Sequence, residues 1–213
     1  MYFFILLHFF VFLVFLYMLG FILRKNPRGL VNWICAMIIF CFAIWSFGMI
    51  PFSDVNSSED IARLATKICS IGWASLPAFV LFFFIFLTKK ITEKEGRLKK
   101  NIAYFVIFIP AIFFIYKQWR GLIIVDFAKQ YYGWSYSWSQ SIWTYLFYAY
   151  YYLFLIIAHY LCFDFMRNTK NLREKRQMKI MFIAGVTTVI LGTVSNVLLQ
   201  EFNIHRLPDL ANV

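Results

Sequence analysis

The chain has 213 residues, 62% of them hydrophobic and 22% aromatic, with a formal net charge of +11. Soluble domains are ~45–50% apolar, and here the excess comes in long uninterrupted blocks, which excludes a soluble globular domain and indicates an integral membrane protein. A charge this positive would suggest nucleic acid as the partner of a soluble protein; in a membrane protein its distribution among the loops decides its meaning.

Six blocks are long enough to cross ~30 Å of hydrocarbon, which takes ~20 residues. In chain order they are 2–23, 30–52, 62–88, 102–118, 141–166 and 179–200, and they predict an all-α polytopic bundle of six spans. The first has no basic residues ahead of it and no small-residue cleavage site. Its charges, Arg24, Lys25 and Arg28, follow it, so it reads as a retained helix rather than a signal peptide. The turn RKNPRG leads into the second block, KKITEKEGRLKKN follows the third and RNTKNLREKRQMK follows the fifth. These three loops carry 15 of the 21 Lys and Arg residues, whereas acids are shared between the two sides. Lys and Arg in short loops mark the cytoplasm, so the N-terminus is expected outside and the basic loops inside. The basic loops then serve topology and a general attraction to anionic lipid rather than nucleic acid.

That orientation places 119–140 outside. Within it YGWSYSW alternates Trp134, Tyr136 and Trp138 with Ser135 and Ser137, the period of a strand with one aromatic and one polar face. A short hairpin would satisfy its backbone groups at the membrane surface. Two readings stand side by side. Trp119, Trp134, Trp138 and Trp143 form an aromatic belt at headgroup level, or the aromatic face of the segment is a lid over the outer mouth of the bundle.

Polar residues inside the spans fall on helix faces. Arg63, Thr66, Ser70, Trp73 and Pro77 share one face of the third block; Tyr145, Tyr148, Tyr152 and His159 share one face of the fifth; Gly185, Thr188, Gly192, Ser195 and Asn196 form a small, polar face of the sixth. Lipid offers such groups no partners, so these faces turn inward. Either they bind helices together, or Ser70, Trp73, Tyr145, Tyr148, Tyr152 and Asn196 converge on a ligand pocket beneath the cap formed by Trp134, Tyr136 and Trp138. His159 lies deeper, toward the basic loops, and suits signal coupling better than ligand capture. Cys35, Cys41, Cys69 and Cys162 have no metal or redox spacing and read as small buried hydrophobes. His8, His159 and His205 lie in separate segments without the spacing of a metal site. No HExxH, GxSxG or P-loop sequence occurs. The chain is therefore expected not to be an enzyme and to hold no cofactor.

WASLPAFVLFFFIFLTKK in the third block, YGWSYSWSQSIW leading into the fifth and REKRQMKIMFIAG opening the sixth resemble the N-terminal seven-transmembrane sensor module of bacterial histidine kinases and diguanylate cyclases. The resemblance covers nearly the whole chain. It implies a multi-pass protein of the bacterial inner membrane that detects an extracellular or lipid-borne signal, a small molecule or a lipid, and relays it to a cytoplasmic signalling domain in cis or to a partner in trans. A homodimer is compatible with such a module. The chain departs from the pattern in its seventh helix: LPDL stands where that helix would begin, and 201–213 is expected as an outer segment leading to it, as in a fragment of a longer protein. The competing classes are a transporter or channel subunit and a membrane scaffold without catalysis.

Overall fold

The computed structural model describes residues 2–88 and 97–198, and all structural statements concern these. Six α-helices and one β-hairpin follow one another: α1 (Phe3–Lys25), α2 (Leu30–Phe52), α3 (Glu59–Leu87), α4 (Arg97–Trp119), β1 (Ile124–Gln130), β2 (Gly133–Trp138), α5 (Ile142–Asn168) and α6 (Leu172–Thr193), which runs on into a π-helical turn, Val194–Leu198. Five of these helices, α1 to α5, are long and apolar enough to cross a membrane. The sixth expected block, 179–200, runs past the described residues, and the helix that carries it starts ahead of it. Asn171 caps the helix by accepting from the N–H groups of Arg173 and Glu174, so α6 begins inside the charged loop and its first turns are polar. The end of that block, the side chain of Asn196 and the segment 201–213 lie outside the described residues.

Helix starts follow capping chemistry. Ser58 accepts from the Ile61 N–H, with Glu59 and Asp60 in the first turn of α3, which favours a helix N-terminus. α3 is the hub, packing on α2, α4 and α5; α1 lies on α2, and α6 on α5. The α2–α3 seam is built from small residues. A Cβ on Gly48 would stand 2.9 Å from the Ala65 carbonyl oxygen, and one on Gly72 would collide with the Cys41 carbonyl. Close backbone approach replaces the hydrophobic effect as the source of helix association in lipid. Pro77, inside α3, removes the N–H that would bond the Trp73 carbonyl. One turn away, the buried Tyr150 hydroxyl donates to the Ala74 carbonyl at 2.8 Å, tying α5 to the proline-weakened segment.

The hairpin is antiparallel, with Ile124 opposite Trp138 and Gln130 opposite Gly133, and a bulge between Val125 and Ala128. Its aromatic face points into the bundle: Trp134 and Tyr136 are buried, and Trp138 stacks on Phe147 at 6.0 Å and 15°. The serine face is satisfied locally, since Ser135 donates to the Ala128 carbonyl and accepts from Gln130. The α2–α3 turn holds one end and α4 the other. Trp134 Nε1 donates to Ser57 Oγ at 2.9 Å, and the Ile124 N–H donates to Gln118 Oε1 at 2.9 Å. Trp119, by contrast, is exposed and donates to the Lys67 carbonyl, while Lys117 lies 3.5 Å above the Trp143 ring. The four tryptophans thus divide, two on the inward face of the hairpin and two at the bundle edge.

Gly133 sits at φ 136°, where L-residues are strained, and a Cβ there would stand 2.6 Å from the Phe52 carbonyl oxygen. Gly133→Ala is expected to destabilise the fold by roughly 2 kcal/mol or more, or about 4–8 °C in Tm for a chain of this size. Tryptophan-fluorescence melting in detergent checks this, and an unchanged Tm would show that the hairpin does not depend on this seat.

Candidate functional site

Beneath the hairpin, α2 and α6 stand on either side of a cavity of about 380 Å³, backed by α3 and α5. This is within the ~300–1,000 Å³ range of small-molecule sites. Its roof is Tyr136 and Trp138; Trp73 and Phe147 form the wall below, with Trp73 edge-on to Phe147 at 4.8 Å. Trp45 and Phe42 line the α2 side, Thr188 and Gly185 the α6 side. Among the described residues that line it there is no Lys, Arg, Asp or Glu.

The predicted site residues divide by location. Trp73, Tyr148 and Tyr152 reach the cavity, together with Tyr136, Trp138 and His159. Tyr152 donates to Thr193 Oγ1 at 3.1 Å, joining α5 to the far end of α6. Trp134 is buried but turns away, toward Ser57. Ser70 and Tyr145 do not line the cavity. Ser70 is fully buried and back-bonds to the Lys67 carbonyl of its own helix at 2.6 Å. Tyr145 belongs to the first turn of α5, and side chains lean toward the helix N-terminus. Its ring therefore points out past the cavity, 53% exposed, and donates to Gln140. The helical phase of Tyr145 agrees with that of Tyr152, but its height does not.

His159 occupies the α5–α6 joint. Its Nδ1 lies 2.7 Å from the Leu155 carbonyl oxygen, which can only accept, so Nδ1 carries the proton. The opposite nitrogen, Nε2, is buried without a hydrogen-bond partner among the described residues. It lies against Gly185, where a Cβ would come within 2.5 Å of it, and Phe84 and Phe182 flank the ring. The fully buried His8 on α1 also leaves both ring nitrogens unbonded among the described residues, but it does not line the cavity.

Several lining residues lack any signal in the sequence. Phe42 and Trp45 belong to a helix that is apolar all round, where a cavity face reads the same as a lipid face. Gly185 was recognised as small, but only the structure brings it against His159. The chemistry available here is reversible binding: an aromatic chamber without Lys, Arg, Asp or Glu among its described lining residues, with a few hydroxyl groups and one imidazole.

A double-mutant cycle tests the joint. Gly185→Ala is expected to destabilise the protein by about 1 kcal/mol, and to lose most of that cost in a His159→Ala background, because the clash disappears. Equal costs in both backgrounds would show that His159 does not rest on Gly185.

Comparison with known proteins places this architecture. The family model for the N-terminal 7TM region of histidine kinase matches residues 5–209. No curated protein matches the chain. Because that match covers nearly the whole chain, the chain belongs to this family.

Proposed function

We propose that this member of the histidine kinase N-terminal 7TM family is a sensory input region whose cavity beneath the hairpin binds the signal. In this reading it crosses the bacterial inner membrane six times, with the N-terminus and the hairpin outside. The unequal distribution of Lys and Arg between the two ends supports that orientation. The output is a cytoplasmic domain, a histidine kinase or a diguanylate cyclase, in cis or in trans. The region itself catalyses nothing; it biases the output by favouring one bundle conformation over another.

One observation carries the reading: polar and aromatic side chains from three separated stretches, the hairpin, α3 and α5, meet at one cavity against α6. A ligand shifts a conformational equilibrium only by its difference in affinity for the two states. The cavity has a means of creating that difference, since α6 contributes one wall and α5 another. The two helices touch through His159 on Gly185 and through Tyr152 on Thr193. A ligand that changes their spacing moves the basic segment RNTKNLREKRQMK, residues 167–179, at their junction by helix shift.

Replacing Trp73, Tyr148 and Tyr152 together by Phe removes two hydroxyl groups and one indole from the cavity while keeping aromatic rings. Each lost hydrogen bond is worth about 1 kcal/mol, so the conformational balance should move several-fold. Autophosphorylation of the coupled kinase in native membranes is the readout. An output unaltered by the triple variant, in protein of normal abundance, would reduce these side chains to packing.

A further inference from the structure

We infer that the cavity takes a neutral, single-chain amphiphile drawn from the bilayer, with its hydroxyl-type head toward the hairpin and its chain toward the basic end. The inference rests on the ligand-binding reading above and names the class of ligand.

Charge comes first. The lining offers no Lys, Arg, Asp or Glu among the described residues. A carboxylate or ammonium carried into it would lose its hydration without gaining a counter-charge, which neutral groups avoid. Polarity then orients the ligand. The Tyr152–Thr193 hydroxyl pair and Tyr148 lie toward the hairpin, whereas Cys35, Phe83 and Met181 line the opposite end. Because Tyr152 donates to Thr193, the pair keeps oxygen lone pairs and the threonine proton, so it can both accept from and donate to one ligand hydroxyl. His159 lies toward the apolar end with its free nitrogen covered by Gly185, so the head group is assigned to the hydroxyl end and not to the imidazole.

Size agrees. A cavity of about 150 Å³ holds benzene, and by that ratio about 380 Å³ accommodates roughly 15 carbon atoms. A transmembrane helix ~30 Å long and ~10 Å wide would displace well over ~2,000 Å³. A helix can therefore cover the mouth of the cavity but cannot fill it. Access follows from the packing: α2 is held by α1 and α3, and α6 by α5. Among the described residues α2 and α6 do not pack closely on one another, which leaves bilayer-dissolved molecules a path between them in this reading.

The test uses the full chain in lipid nanodiscs and a diazirine analogue of dodecanol, followed by peptide mapping. Crosslinks should concentrate in the cavity-facing parts of α5 and α6. Unlabelled dodecanol should compete at least tenfold better than dodecanoate at neutral pH or dodecyltrimethylammonium. Thr188→Trp, which fills the cavity, should abolish the competed labelling; Ile190→Trp, on the exposed face of the same helix, should not. Labelling spread evenly onto exposed α1 and resistant to competition would mean bilayer partitioning only and would overturn the inference. Equal competition by the charged analogues would overturn its head-group assignment. If labelling fails while the Trp73, Tyr148 and Tyr152 variant still alters kinase output, the ligand class is wrong and the sensory reading survives; if the variant is silent while labelling succeeds, the reverse holds.

Discussion

A backbone or side-chain polar group surrounded by hydrocarbon must find a partner within the protein, and this constraint organises the molecule. Helices satisfy their own backbones; a two-stranded hairpin does not, because its outer edges remain open. It is therefore placed at one end of the bundle and pinned by Gln118 and Ser57, which take up the N–H of Ile124 and the indole of Trp134. The same constraint explains Tyr150, whose phenol lies deep in the bundle and reaches the Ala74 carbonyl close to Pro77.

Packing without a hydrophobic driving force then shapes the site. α2 and α3 approach through Gly48 and Gly72 until their backbones touch. α5 and α6 meet through the His159 ring on Gly185, the Tyr152 phenol on Thr193, the Cys162 thiol on the Met178 carbonyl and the Phe163 ring beside Phe182. The cavity lies between the α2–α3 pair and the α5–α6 pair, roofed by Trp138 and Tyr136. In the proposed reading the small-residue seam holds one wall in place and the α5–α6 joint is the wall that responds to a ligand.

The alternation in YGWSYSW was legible because a period of two stands out in a chain otherwise patterned for helices, and the hairpin follows it with its aromatic side inward. The convergence of Trp73, Tyr148, Tyr152 and His159 was legible for a related reason: a polar group in an apolar helix announces a protein-facing surface. Tyr145 shows where that logic ends. Helical phase sets direction around the axis, but height along it is decided by where the helix begins, and residue 142 is too close. Ser70 shows another limit, since a short hydroxyl can be satisfied by its own helix. The cavity faces of α2 were illegible because hydrophobicity is the same against lipid and against a ligand. The apolar block from residue 179 begins within α6, but hydropathy does not mark the helix start, which the Asn171 cap sets inside the charged loop.

The central claim is that occupancy of this cavity sets the output. The most direct measurement compares basal autophosphorylation of the coupled kinase, in membranes, for Thr188→Trp and Ile190→Trp. Both add the same indole to the same helix, one facing the cavity and one facing outward. Output shifted several-fold by Thr188→Trp and left at the wild-type level by Ile190→Trp is the predicted result. Equal outputs from both variants and from wild type, at equal protein abundance, would contradict it.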